Sequence, residues 1–312
     1  MSNANLAFVF PGQGSQKIGM LDELAVQFDV VAQTFAEASA VLGYDLWDRV
    51  QNAEQAAINM TECTQPLLLT CSVAIWRVWQ QQGGPVPAYM AGHSLGEWSA
   101  LVCAGVIAFD DAVLLVQQRG KFMQEAVPAG LGAMAAIIGL DDDKIVTICT
   151  ESEQGECVAA VNFNSPGQVV IAGAVAPVER AMASCKEAGA KRALALPVSA
   201  PFHTEMMRPA AERLAEQIEA IKFAAPVIPI VHNVNAKLES DPAAIKALMI
   251  EQIYSPVLWT DCVQALAGFG VEFLVECGPG KVLSGLARRI DKSLSAQQSE
   301  TPADIEKALM AF

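Results

Sequence analysis

The sequence predicts an α/β fold in which a small subdomain is inserted into a larger one with a mostly parallel sheet. Short apolar runs alternate with helical segments in both outer parts of the chain, as in parallel sheets covered by helices. Between them, the order changes to β-α-β-β-α-β, the ferredoxin-like motif. These patterns assign residues 1–128 and 198–312 to the large subdomain and residues 129–197 to the ferredoxin-like small one.

The first part of the large subdomain contains two predicted strands, each followed by a glycine-containing loop. The apolar run at residues 6–10 leads into Pro-Gly-Gln-Gly at residues 11–14, and the run at residues 88–91 leads into residues 92–96. Hydrophobic periodicity predicts helices over residues 21–41, 67–79, 98–104 and 110–126, the last with Asp110 as its N-cap.

The same criteria define the remaining elements. In the small subdomain we predict strands over residues 133–138, 157–162, 168–172 and 192–197, and helices over residues 142–151 and 177–188. In the last part we predict helices over residues 205–221, 243–254, 261–269 and 282–290, and strands over residues 227–231 and 272–276. No internal repeat is visible.

Composition excludes several functional classes. The 312 residues are 53% hydrophobic and 17% charged, which suits a large core and excludes a disordered chain. Acidic residues outnumber basic ones by 34 to 20, so the net charge of −14 argues against nucleic acid or an anionic membrane as a partner. No apolar run has the roughly 18 residues of a membrane span, and the N-terminus lacks a secretory signal, so we expect a cytoplasmic protein.

The eight cysteines form no Cys-x-x-Cys pair, and several lie in apolar segments. In a reducing compartment this pattern indicates free buried thiols rather than disulfides or a metal site. We therefore expect no metal.

Residues 92–96, Gly-His-Ser-Leu-Gly, match the G-x-S-x-G pattern of nucleophilic serines. The pattern stands between a predicted strand and a helix of small residues, where a sharp turn projects the Ser94 hydroxyl into a cleft. The glycines allow close backbone approach, and the Leu95 amide can face an oxygen that becomes negative during attack. The alternative is an ordinary glycine-rich turn with a buried serine.

Only three histidines can serve as the base. His93 adjoins Ser94, but consecutive side chains at a strand end point to opposite sides, which favours a structural role. His203 lies in a proline-containing loop, where catalytic side chains are common, whereas His232 follows an apolar run. The residues favour His203 and leave His232 as the alternative.

Two further features suggest a binding site. The loop at residues 11–14 is no dinucleotide loop, because Lys17 replaces the third glycine. It either directs a backbone N–H into the cleft or is a plain tight turn. Arg119 stands in an apolar helix beside Gly120, whose lack of a side chain suggests that another segment approaches closely. It is either a surface arginine with a buried stem or a guanidinium that binds a carboxylate.

Taken together, these segments resemble the malonyl-CoA:acyl carrier protein transacylases of bacterial fatty acid synthesis, over essentially the whole chain. The resemblance is carried by FVFPGQGSQ (8–16), TQPLLL (64–69), AGHSLGEWSALVCAG (91–105), QQRGKFMQEA (117–126), VNFNSPGQVVIAG (161–173), the His203 loop and VECGPGKVLSGL (275–286). The resemblance implies an α/β-hydrolase-like large subdomain and a ferredoxin-like small one, as the element order predicts.

The resemblance also implies roles for particular residues. Ser94 would be the nucleophile and His203 its base, oriented by the backbone carbonyl of Gln252. The amides of Gln13 and Leu95 would form the oxyanion hole. Arg119 would bind the malonyl carboxylate, with Met123, Phe202 and Asn162 also in contact with the substrate. Phe202 stands where malonyl-selecting enzymes have phenylalanine, which implies little room for an α-methyl branch.

The implied partners are malonyl-CoA, which is a substrate rather than a cofactor, and acyl carrier protein. Because carrier proteins are acidic, docking would need a local basic patch. Lys281 with Arg288 and Arg289, or Lys191 with Arg192, are candidates, and the alternative for either cluster is an ordinary solvent-exposed face. The alternatives are a serine thioesterase or esterase, an acyltransferase of a polyketide pathway and, more remotely, a non-catalytic carrier-binding protein.

Overall fold

A computed structural model of the protein describes residues 2–198 and 200–312, with Ser2 described by its backbone alone. The strands are β1 (Ser2–Phe10), β2 (Val86–Gly92), β3 (Gly132–Ile138), β4 (Val158–Ser165), β5 (Gln168–Ala174), β6 (Arg192–Ala195), β7 (Ile230–Val231), β8 (Phe273–Glu276) and β9 (Ser295–Gln298). The helices are α1 (Asp22–Gln27), α2 (Asp29–Leu42), α3 (Leu46–Asn52), α4 (Gln55–Ile58), α5 (Thr61–Gln81), α6 (Leu95–Cys103), α7 (Phe109–Glu125), α8 (Asp142–Ser152), α9 (Val175–Glu187), α10 (Arg208–Ala220), α11 (Pro242–Glu251), α12 (Trp259–Gly268), α13 (Val282–Ile290) and α14 (Pro302–Leu309).

The strands form two sheets, which confirms the predicted fold class. The larger has the order β7-β2-β1-β8-β9, and all its pairings are parallel. The smaller has the order β4-β5-β3-β6 with antiparallel pairings, the arrangement of the ferredoxin-like motif. The exact subdomain boundaries at residues 128–129 and 197–198 stay a prediction.

Strand β1 lies at the centre of the large sheet and is buried on both faces. Phe8 and Phe10 pack into one hydrophobic cluster, and Ala7 and Val9 into a second cluster on the opposite face. A parallel strand covered by helices on both sides needs such a continuous apolar run. The carboxyl ends of β1 and β2 thus lie side by side, with Phe10 paired to Gly92.

Some elements differ from the prediction. The helix predicted over residues 21–41 is two helices, because Phe28 between them is extended. Asp110 is not the N-cap of α7: Ala108 is, and Asp110 lies in the first turn, where its charge faces the helix dipole favourably. The elements α3, α4, β9 and α14 were not predicted. No helix of the described residues is long and apolar enough to cross a membrane.

Candidate active site

The turn at residues 92–96 connects β2 to α6 as the sequence predicts. Ser94 has φ 52° and ψ −107°, a strained conformation typical of a nucleophile held at a strand-to-helix turn. Both flanking glycines are required by space: a Cβ at Gly92 would overlap the Gly96 backbone, and one at Gly96 would overlap the Phe10 carbonyl. The turn is therefore packed directly against the end of β1.

His203 is the histidine in contact with Ser94. Its Nε2 lies 2.7 Å from the Ser94 Oγ, and its Nδ1 lies 2.8 Å from the backbone oxygen of Gln252. Because a carbonyl oxygen can only accept, Nδ1 carries the hydrogen and Nε2 offers its lone pair to the hydroxyl. Burial, and then the charge of Arg119, lower the pKa of His203 to about 3, so the imidazole is neutral at physiological pH.

Arg119 is buried beside the same hydroxyl. Only 2% of its surface is exposed, and its Nη2 donates to the Ser94 Oγ at 3.3 Å. The guanidinium also donates to the side-chain oxygens of Gln65 at 2.9 Å and Gln252 at 3.0 Å. Burial lowers the pKa of Arg119 to about 10, which still leaves it cationic at neutral pH. This geometry excludes the alternative of a surface arginine.

The close approach predicted at Gly120 is real. A Cβ on Gly120 would clash with the backbone of Thr61 and Glu62 at the start of α5. The absence of a side chain allows α7 to pack tightly on α5, which carries Gln65. That contact places the guanidinium of Arg119 next to its amide partner.

A cavity of about 500 Å³ lies between the two sheets and collects most of the predicted site residues. Residues of the large subdomain and of the small one both line it. Its lining includes Gln13, His93, Ser94, Leu95, Arg119, Met123, Asn162, Phe202 and His203. Gln252 is fully buried behind it and reaches the site through its hydrogen bonds.

The backbone amides of Gln13 and Leu95 meet the first condition for an oxyanion hole. Neither N–H donates a hydrogen bond to any group of residues 2–198 and 200–312. Leu95 is the first residue of α6, where backbone amides and the helix dipole favour negative charge. Gln13 lies in the loop after β1 and lines the same cavity as His93, Ser94 and Leu95.

The two other histidines are held by different partners. His93 lines the cavity, but its Nε2 lies 2.8 Å from the side-chain oxygen of Asn164 and its ring faces Trp259. His232 is fully buried, and its Nδ1 lies 2.7 Å from a carboxylate oxygen of Glu97. His203 is thus the histidine that this structure brings to Ser94.

The cysteines of the described part of the chain are neither paired in disulfides nor grouped around a possible metal site. All eight cysteines are free, and seven of them are buried. No group of three or more His, Cys, Asp or Glu among the described residues could hold a metal ion.

Comparison with known proteins identifies the family. The acyl transferase domain family matches residues 7–303. A malonyl CoA-acyl carrier protein transacylase of Salmonella typhimurium is 60% identical over 303 residues, covering 97% of this chain and 98% of that protein. The Bacillus subtilis protein of the same name is 44% identical over 310 residues, covering 99% and 98%. This chain belongs to the malonyl CoA-acyl carrier protein transacylase family.

Solved structures agree with this assignment. An acyl carrier protein S-malonyltransferase from Vibrio cholerae superposes with a TM-score of 0.96 at 58% identity, covering 97% of this chain and 99% of that one. A malonyl-transacylase solved in complex with its type II PKS acyl-carrier protein superposes with a TM-score of 0.98 at 56% identity, covering 99% and 100%. The likeness extends over both subdomains of this transacylase.

Sequence reasoning missed several polar residues in this transacylase site. The Asn233 side chain accepts from the Ser94 N–H at 2.8 Å and donates to the Gly92 carbonyl at 2.7 Å, so it fixes the turn. Glu97 accepts from the Gln252 side chain at 2.7 Å. Gln65 lies in the TQPLLL segment (64–69), but its contact with Arg119 was not predicted. Glu97 directly follows the G-x-S-x-G pattern in a helix of small residues, and that was the available signal.

Proposed function

We propose that the protein transfers a malonyl group from malonyl-CoA to the phosphopantetheine thiol of acyl carrier protein, through a malonyl-Ser94 intermediate, and so supplies fatty acid synthesis. One observation carries this proposal: His203 and Arg119 both contact the Ser94 hydroxyl within a single cavity. A neutral imidazole supplies the base, and a buried cation supplies a partner for the free carboxylate of malonyl.

The first half-reaction acylates the serine. His203 Nε2 takes the hydroxyl proton as Ser94 Oγ attacks the thioester carbonyl, and a tetrahedral oxyanion forms. The carbon–sulfur bond then breaks, and the imidazolium returns its proton to the departing coenzyme A thiolate. The charge on His203 is transient, and the Gln252 carbonyl stabilises it through Nδ1.

The second half-reaction reverses these roles with a different thiol. The carrier's phosphopantetheine thiol gives its proton to His203 while its sulfur attacks the acyl-serine carbonyl. The carbon–oxygen bond breaks, and the proton returns to Ser94 Oγ. In both steps the backbone amides of Gln13 and Leu95 would stabilise the oxyanion, and their lack of other acceptors in the described chain supports this role.

Arg119 selects the acyl group in this proposal. Its amide partners Gln65 and Gln252 carry no charge, so a substrate carboxylate would be its strongest acceptor. Asn162 and Met123 would complete the acyl site, and Asn162 lines the cavity with a buried Oδ1 that has no partner among the described residues. Phe202 would disfavour an acyl group with an α-methyl branch, with a discrimination free energy of about 1–3 kcal/mol.

The carrier would dock on a local basic patch. The two candidate clusters remain Lys191 with Arg192, and Lys281 with Arg288 and Arg289; charge reversal at each, followed by the KM for carrier protein, separates them. We also propose that the enzyme is cytoplasmic and needs no cofactor.

Intact-protein mass spectrometry after incubation with malonyl-CoA tests the proposal. Wild-type protein should carry one malonyl adduct, and Ser94→Ala should carry none. Ser99→Ala, which removes a buried hydroxyl on α6 that has no hydrogen-bond partner in the described chain, is the matched control and should react like wild type. A persisting adduct on Ser94→Ala would refute the nucleophile.

A second measurement distinguishes transfer from hydrolysis. Free coenzyme A and malonyl-carrier product are counted with and without acyl carrier protein. A transferase forms one carrier product for each coenzyme A released, whereas a thioesterase releases coenzyme A continuously without the carrier. Continuous release without the carrier would overturn the proposal in favour of a hydrolase.

A further inference from the structure

We propose that Glu97 is a positioning residue of this site: its buried carboxylate orients the side-chain amide of Gln252 and thereby holds Arg119 and His203 in place. The inference rests on the proposed function, because it assigns a role in malonyl recognition. Glu97 itself does not line the cavity and is not expected to touch the substrate.

Glu97 makes three hydrogen bonds although it is only 1% exposed. Its Oε2 accepts from the Gln252 side-chain nitrogen at 2.7 Å and from the Asn233 backbone N–H at 3.2 Å. Its Oε1 lies 2.7 Å from His232 Nδ1. A buried carboxylate is costly unless such donors surround it, and these three contacts offset part of that cost.

These contacts determine which way the Gln252 amide faces. Its Nε2 donates to Glu97 and to the Ser94 carbonyl at 2.9 Å, and both of these partners can only accept. The Gln252 oxygen must then face the other way, where it accepts from the Arg119 guanidinium at 3.0 Å. A reversed amide would place donor against donor and acceptor against acceptor at once.

The same residue also fixes the base. The backbone oxygen of Gln252 accepts from His203 Nδ1, so an anchored Gln252 side chain limits movement of the carbonyl that orients the imidazole. Glu97 thus reaches both Arg119 and His203 through one intermediate residue.

The intermediate amide also separates opposite charges. No carboxylate of the described residues lies within 4.0 Å of the Arg119 guanidinium. If Glu97 bound Arg119 directly, it would compete with the carboxylate of malonyl for the same donors. With Gln252 between them, the guanidinium stays available while a negative charge remains nearby.

The test compares kcat/KM for malonyl-CoA and acetyl-CoA in wild type, Glu97→Met and Glu97→Gln. Methionine fills a similar volume but cannot hold the amide, so the malonyl-to-acetyl ratio should fall about tenfold, as for loss of one oriented hydrogen bond to a charged group. A glutamine at position 97 keeps one side-chain oxygen that can accept from Gln252, while its own NH₂ can donate to His232 if that histidine changes tautomer. The malonyl-to-acetyl ratio of Glu97→Gln should therefore be close to that of wild type.

Glu276 provides the matched control. It is also a fully buried glutamate, but it accepts from the backbone amides of Leu283 and Ser284 at the start of α13. The same substitutions there should affect stability and leave the ratio unchanged. If Glu97→Met does not fold, Glu97→Asp replaces it in the test, because aspartate keeps the charge but is too short to hold the Gln252 amide in the same way. Its malonyl-to-acetyl ratio should fall as predicted for Glu97→Met.

An unchanged ratio in folded Glu97→Met would overturn the inference, and so would a Glu97→Gln ratio as low as that of Glu97→Met. Neither result would contradict the proposed function, which is tested by malonyl transfer in the wild type. Wild type without malonyl transfer would instead refute the proposed function itself.

Discussion

Replacing Arg119 with alanine tests our proposal that this guanidinium distinguishes malonyl from uncharged acyl groups. The guanidinium is buried, and a bound carboxylate would accept two charge-assisted hydrogen bonds from it. At about 1.5–3 kcal/mol for each bond, the loss amounts to about 3–6 kcal/mol. Since about 1.4 kcal/mol is a factor of ten, kcat/KM for malonyl-CoA should fall about 10²–10⁴-fold.

The same substitution has a smaller effect on acetyl transfer and on stability. Acetyl has no carboxylate to bind, so its kcat/KM should be unchanged or higher. The oxygens of Gln65 and Gln252 lose a donor, which costs about 1–3 kcal/mol each, but removal of a buried cation offsets part of that cost. We therefore expect Arg119→Ala to fold, with a lowered Tm by circular dichroism.

The assay is carrier-dependent transfer of radiolabelled malonyl and acetyl groups by the folded variant. Arg213→Ala is the control, because Arg213 packs on Phe122 of the same helix but pairs with exposed Glu125 outside the cavity. It should keep the wild-type preference. A malonyl-to-acetyl preference in Arg119→Ala equal to that of wild type would refute the assignment of Arg119 as the carboxylate ligand.

Four other predictions concern His203, the Ser94 turn and the thiols. Because burial and Arg119 lower the pKa of His203 to about 3, the base stays unprotonated in mild acid, and kcat/KM should stay nearly flat down to about pH 5; a decline centred near its usual pKa of about 6.5 would contradict this. In the unfolded state His203 binds a proton below about pH 6.5, whereas in the folded state it does so only near pH 3. The free energy of unfolding, measured by urea denaturation, should therefore fall as the pH is lowered from about 6.5 towards 3. Gly96→Ala should abolish folding or adduct formation, because its Cβ would overlap the Phe10 carbonyl, whereas Gly268→Ala, which meets nothing within 4 Å, should behave like wild type in both measurements. A thiol reagent should modify Cys157 first, because the other seven thiols are buried; its burial-raised pKa makes even this reaction slow at neutral pH, and rapid modification of several thiols would contradict the packing.

Elements with their own hydrophobic pattern could be predicted, and those held by neighbours could not. The bounds of α13 match the prediction at both ends, because its apolar positions repeat at helical spacing. Strand β9 has the polar sequence Ser-Ala-Gln-Gln and is a strand because it pairs with β8 at the edge of the sheet. Helix α14 carried a readable signal in the Thr301 capping box with Asp304, which the prediction did not use.

The residues of the candidate site also divide into those that the sequence predicts and those that it does not. Ser94 was predictable from a local pattern, and His203 and Arg119 could be singled out because histidines are few and arginines rarely interrupt an apolar helix. Asn233 and Glu97 lie 136 residues apart, and their roles come from contacts that only the folded chain creates. The only local signal for Glu97 is its position directly after the G-x-S-x-G pattern, and Asn233 has no such signal.

The hydrogen-bond partners of Arg119 explain how an acidic protein keeps a cationic site. With a net charge of −14, a surface arginine would meet nearby carboxylates and lose its preference for an incoming one. Burial removes Arg119 from those carboxylates, and the neutral amides of Gln65 and Gln252 hold it without satisfying its charge. In the proposed function, a malonyl carboxylate that enters the cavity would therefore gain an ion pair that the protein itself does not already supply, whereas an acetyl group would gain nothing. Selectivity for a diacid thioester would then follow from the surroundings of Arg119 as much as from its own charge.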